Sequence, residues 1–298
     1  MPKLILAALL GGASLLVPAT PAAAQATAPA YAPTHFSVVV EGEGPDVILI
    51  PGLSSNPEIW DKLVAHWGGR VRTHRIHVNG FSGAPAGGNG EGTVAAPVAE
   101  EIARYIRETS LSRPAVIGHS MGGAIGLMLA ARHPAAVGKL MVVDMLPALG
   151  PAFAGPTATP EQIAATADRV AAGIRADVGE GRAVAAQQTI TGMVRTEGER
   201  AGPIRHMMTS EPDVMARSMR ELIVTDLTAE IAAITAPTTV LYVAFPGMAD
   251  MMVDMIYRGA YRNLPGARLV RYDDSAHFIM LDQPARFHAE ADAFLSAE

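Results

Sequence analysis

Short apolar runs alternate with amphipathic stretches along most of the chain. Phe36 to Glu41 reads as a strand, and Gly42-Glu43-Gly44-Pro45 as a turn. Val47-Ile48-Leu49-Ile50 is apolar throughout, the signature of a strand buried on both faces of a parallel sheet. From Pro57 to Trp67, Ile59, Trp60, Leu63, Val64 and Trp67 recur with helical period. A strand over Val71 to Val78 follows, then a glycine-rich loop to Gly92 and a helix that Thr93 caps and that runs to Arg107. Pro114 to Ile117 reads as a strand, Ala124 to Arg132 as a helix, and Lys139 to Asp144 as a strand. The rhythm then breaks. Between Pro147 and Ile231 the chain is helical, rich in alanine and methionine, and without strand-like runs. It resumes with a strand at Thr238 to Val243, a helix from Ala249 to Asn263, a strand at Ala267 to Tyr272 and a closing helix from Pro284 to Leu295. Alternating strands and helices predict an α/β fold with a doubly wound, mostly parallel sheet. Residues 36–146 and 232–298 form its core, and residues 147–231 an inserted helical cap.

The first residues follow a different pattern. Lys3, the apolar run Leu4 to Val17 and the small residues ending at Ala22-Ala23-Ala24 predict a signal peptide over residues 1–24, and hence a periplasmic or secreted protein with no stable membrane anchor after cleavage. Residues 25–35, rich in Ala, Pro and Thr, read as a disordered lead-in. Composition narrows the chemistry. The 298 residues carry a net charge of −6 without a Lys/Arg cluster, which argues against a nucleic-acid footprint. The absence of cysteine excludes disulfides, thiol catalysis and thiolate metal sites.

Gly118-His119-Ser120-Met121-Gly122 is a G-x-S-x-G motif between the strand ending at Ile117 and a predicted helix. That context predicts a nucleophile elbow, a sharp turn holding one serine above the sheet. Small residues are needed two positions either side, because strand and helix pass close together there. A serine hydroxyl is a weak nucleophile until a base takes its proton. His277, on the loop after the last strand, is the expected base. His35, His66, His74, His77 and His206 lack a carboxylate–serine context, and His119, beside the nucleophile, leaves the turn in another direction. The acid that orients the base is read as Asp250, after the strand Thr238 to Val243, with Asp144 as the alternative at the end of the preceding strand. Backbone N–H groups of Met121 and Leu53 are the expected oxyanion donors.

Pro51-Gly52-Leu53, Trp60, Asn79-Gly80-Phe81-Ser82-Gly83, the elbow, Asp250 and Ala276-His277-Phe278 together resemble the α/β-hydrolase superfamily in its cap-bearing branch of esterases, lactonases and carbon–carbon bond hydrolases. The resemblance spans about Phe36 to Leu295. It departs from the family pattern at Pro51, where many relatives carry histidine, in the loop before Asp250, which usually reads Gly-x-x-Asp, and at Asn79-Gly80-Phe81, which lacks a common aspartate. It implies a serine hydrolase that needs neither metal nor organic cofactor. The expected substrate is a small, apolar carboxylic ester or lactone. Amide or carbon–carbon cleavage and perhydrolase or acyltransferase chemistry are alternatives on the same residues. A non-catalytic ligand-binding module is the alternative of another class.

Overall fold

Val47, Ile48, Leu49 and Ile50 are all fully buried in the computed structural model, which describes residues 31–244 and 247–297. Their strand is one of seven: β1 (Phe36–Glu41), β2 (Asp46–Ile50), β3 (Arg72–Val78), β4 (Ala115–His119), β5 (Lys139–Val143), β6 (Thr238–Val243) and β7 (Arg268–Tyr272). They form one sheet in the order β1-β3-β2-β4-β5-β6-β7, parallel except for β1. Side chains alternate across the pleat, so each strand feeds two cores. Ile48, Ile50, Val116, Val142 and Val240 face one, and Val47, Leu49, Ile117, Val143 and Leu241 the other.

Helices cover both faces, as the alternation predicts. α1 (Asp61–Trp67) continues a 3₁₀ turn at Pro57–Trp60. It packs with α11 (Pro284–Ser296) through Trp60, Trp67, Phe287 and Phe294. On the opposite face lie α2 (Ala95–Glu108), α3 (Met121–Arg132) and α9 (Asp250–Ala260). The short α10 (Ile279–Asp282) precedes α11. Five helices are inserted after β5: α4 (Gly150–Ala154), α5 (Pro160–Ala176), α6 (Gly179–Met193), α7 (Ala201–Thr209) and α8 (Pro212–Val224). A bridge between Ala148 and Asp226 and a bond from Leu227 N–H to Pro147 O (2.9 Å) tie the two ends of the insert together.

Two expectations change. α2 begins at Ala95 after Val94, with no local side-chain cap. The carboxylate of Glu221, on α8, does that work instead: it accepts from the backbone N–H groups of Val94 (2.6 Å), Ala95 (2.8 Å) and Ala96 (2.9 Å). A full negative charge against the positive end of a helix does more than the hydroxyl of Thr93 could. The described part of the lead-in is also ordered. Glu101 accepts from the N–H groups of Thr34 (3.0 Å) and His35 (2.7 Å), and Arg104 lies 4.7 Å over the Tyr31 ring. A carboxylate on α2 supplies the contacts that alanine and proline cannot. The expected signal peptide lies outside the described residues. Among the described residues no helix is long and apolar enough to cross a membrane.

Candidate active site

β4 ends in a sharp turn at Ser120. Ser120 has φ 52° and ψ −120°, a region L-residues avoid. Its N–H donates to Val143 O (2.9 Å), and its carbonyl accepts from Gly123 (2.7 Å) and Ala124 (3.1 Å), which starts α3 directly. The flanking glycines are obligatory. A Cβ on Gly118 would lie 2.1 Å from Gly122 O, and one on Gly122 would lie 2.2 Å from Ile50 O. β5 ends in the same manner, with Asp144 at φ 52°. Neighbouring strands thus hold a serine and an aspartate in strained conformations above the carboxyl edge of the sheet, where such sheets carry their sites.

His277 meets the aspartate. Its Nδ1–H donates to Asp144 Oδ2 at 2.6 Å. This orients the ring and leaves Nε2 as the free base. Asp144 Oδ1 accepts from Val243 N–H (3.2 Å) and from the hydroxyl of Tyr257 (3.0 Å). The carboxylate that meets His277 is therefore Asp144 and not Asp250. Asp250 opens α9 with its side chain 61% exposed, 3.2 Å from Arg271. Arg271 also pairs with Asp254 (2.9 Å) and Asp273 (2.5 Å). An acidic helix N-terminus beside a surface arginine satisfies Asp250 where it stands, away from His277.

Carboxylate pairing alone would not single out His277. His35, His66, His74, His133 and His206 each pair with a carboxylate too. What distinguishes His277 is that it lines a cavity of about 430 Å³ together with Ser120 and Asp144. Leu53, in a tight turn closed by Ser55 N–H to Gly52 O (3.1 Å), also lines it, and Met121 opens α3 next to Ser120. Gly52 approaches so closely that a Cβ there would sit 3.1 Å from Ser120 Cβ. The cap supplies apolar walls, among them Leu149, Ile174, Ile190 and Leu222. Five methionines, Met145 and, from the cap, Met193, Met207, Met215 and Met219, also line the cavity, whereas Met251, Met252 and Met255 lie on the exposed face of α9. A second hollow of about 320 Å³ lies at the opposite, amino edge of the sheet among Asp46, Arg113 and Lys139.

A family model described as "Alpha/beta hydrolase family" matches residues 47–290. The chain belongs to the alpha/beta hydrolase family. This alpha/beta hydrolase is 32% identical over 114 residues to the pimeloyl-(acyl-carrier protein) methyl ester esterase of Aeromonas hydrophila, a match covering 38% of this chain and 43% of that one. It is 22% identical over 253 residues to the corresponding protein of Vibrio vulnificus, covering 83% and 92%. The crystal structure of the enol-lactonase from Burkholderia xenovorans LB400 superposes with a TM-score of 0.69 at 20% identity, covering 88% of this chain and 96% of that one.

Two buried groups of this hydrolase escaped sequence reasoning. His119 does not leave the site. Its ring packs 4.6 Å from that of His277, and its Nε2–H donates to His277 O at 3.1 Å. Burial first, and then the neighbouring His277, hold its pKa well below the ordinary imidazole value. Tyr257 reaches Asp144 from α9, and burial, with Asp144 beside it, pushes its phenol well above 10.0. A partner so distant in sequence leaves no local signal for Tyr257.

Proposed function

We propose that this alpha/beta hydrolase cleaves a neutral, apolar carboxylic ester or lactone through an acyl-enzyme on Ser120. The observation that carries the reading is the 2.6 Å bond from His277 to Asp144 in a cavity that Ser120 lines. His277 Nε2 takes the Ser120 proton as Oγ attacks the carbonyl carbon, and the imidazolium that forms is held by Asp144. The negative charge that develops on the carbonyl oxygen falls to the N–H groups of Leu53 and Met121. Collapse expels the alkoxide, which takes the proton from His277. Water then loses a proton to His277 as it attacks the acyl carbon. The acid leaves, and Ser120 recovers its proton. In a lactone the alcohol stays attached to the acyl group.

The walls support an apolar substrate: among the described residues, those lining the cavity include no lysine or arginine to neutralise an anion. Methionines there suit an adaptable acyl or alcohol pocket. The relatives, two methyl ester esterases and an enol-lactonase by name, fit both ester classes. Export remains part of the reading through residues 1–24, and N-terminal sequencing of protein recovered from the periplasm tests it.

The experiment is turnover of p-nitrophenyl acetate, butyrate and octanoate by wild type and Ser120→Ala. Wild type is expected to hydrolyse at least one of them, and the folded variant to lose about 10⁵–10⁶ of kcat. Equal rates in both proteins would remove Ser120 from the mechanism. Tight ester binding without turnover would favour the binding module.

A further inference from the structure

Asp144 sits in an expensive position. It is 7% exposed, its φ is 52°, and only one of its two oxygens meets His277. An ionised carboxylate in such a place needs donors for its remaining lone pairs. Val243 N–H supplies one from the end of β6, and the Tyr257 hydroxyl the other from α9. The same helix opens with Asp250, the residue expected to act as the acid. About two turns further on, α9 returns to the site with a phenol.

The phenol is itself held. Its ring stacks on Tyr242 at 4.1 Å between centroids, 22° from parallel, and lies 6.5 Å from Tyr261. Tyr242 donates to Asp254 (2.8 Å), and Tyr261 to Met145 O (2.7 Å), so neither neighbouring hydroxyl is bound to Asp144. The phenol stays protonated at neutral pH and can only donate to the carboxylate.

We propose that Tyr257 is a positioning residue for the Asp144–His277 pair, its hydroxyl fixing the carboxylate rotation and drawing charge from Oδ1. This rests on the reading of Asp144, His277 and Ser120 as the reacting set. Two effects follow from removing the hydroxyl. The carboxylate gains freedom to turn about its own bond, so His277 is less often aligned. Its charge also concentrates, which strengthens its hold on the imidazolium and raises the pKa of His277. The titratable groups facing the pair are His119 from β4, Tyr257 from α9 and Tyr261 immediately after α9. His119 stays neutral through the working range, since its pKa is held down, and both phenols titrate far above it.

The test compares Tyr257→Phe with Tyr242→Phe, which removes a hydroxyl from the same stack without touching Asp144. Turnover of the best p-nitrophenyl ester is read across pH, and the His277 ring is titrated by NMR. For Tyr257→Phe, kcat is expected to fall roughly 10-fold with KM within about twofold, and the His277 titration and the acid limb of kcat/KM to move up by about half a unit. Tyr242→Phe should leave both within about twofold and 0.2 units. As a second variant that keeps the hydroxyl and the packing, 3-fluorotyrosine is placed at position 257 as well. Its more acidic hydroxyl donates more strongly at nearly unchanged volume, so the His277 titration should move down. Unchanged titrations in both Tyr257 variants, or an equal loss in Tyr242→Phe, would overturn the proposal. The NMR titration needs no turnover, so it still decides the role of Tyr257 if Ser120→Ala shows that the hydrolase reading fails.

Discussion

Asp144 and Asp250 show how far two aspartates can differ when both follow a buried strand. Asp144 directly follows the last residue of β5 and is drawn inward by His277, Val243 and Tyr257. Asp250 lies seven residues beyond β6 and is drawn outward by Arg271. Asp144→Asn should keep the shape of the site but deprive His277 of its correct tautomer, lowering kcat by about 10³–10⁴. Asp250→Asn should leave kcat within about twofold, because an exposed ion pair contributes little. Side-by-side kcat measurements check both, and a larger loss for Asp250→Asn would reverse the assignment. Ser120 and His277 were legible because each belongs to a local pattern: a serine between two glycines after an apolar strand, and a histidine after the last strand. The carboxylate that meets His277 had no such pattern. Its position depends on which side chains cross from neighbouring elements, and family spacing pointed to the wrong strand. A reading by strand ends alone, with an aspartate immediately after Lys139–Val143, favours Asp144.

At the scale of elements, apolar periodicity was a good guide and capping a poor one. β1 and β6 begin and end where the sequence predicts, β4 runs two residues further, to His119, and the other strands differ by one residue at most at either end. Hydrophobic burial sets those elements, and it is written in neighbouring positions. The start of α2 is not. Glu221 closes it from α8, over a sequence separation of 125 to 127 residues. Glu221→Ala would strand two buried N–H groups and one half-buried one and remove a charge from the helix dipole, a loss of roughly 2–4 kcal/mol. The melting temperature should fall by about 5–10 °C for a chain of this size, read by calorimetry. Thr93→Ala should change it by less than about 2 °C, since Thr93 makes no cap. The opposite ranking would return the cap to Thr93. The described part of the lead-in follows the same lesson: its order comes from Glu101, a residue on another element.

The whole molecule carries a consistent response to acid. His77, His119, His206 and His288 all have pKa values held below the ordinary imidazole value, in each case chiefly by burial. Unfolding frees all four to bind protons near pH 6.5, so the unfolded chain takes up more protons than the folded one below that pH. Stability is therefore complete above about pH 6.5 and is lost as pH falls through the folded values. Calorimetry should show a melting temperature several degrees lower at pH 5 than at pH 7, by about 3–6 °C. A melting temperature that is flat or rises on acidification would contradict the burial of these rings. Glu221 has one more consequence, for modularity. The core borrows a helix start from its insert, so the two are not interchangeable parts. A chimera that grafts a foreign insert between Pro147 and Leu227 inherits an α2 with bare amides, unless the donor also brings a carboxylate to the place of Glu221. Recombination between relatives is thereby restricted to inserts that arrive with their own cap for the host.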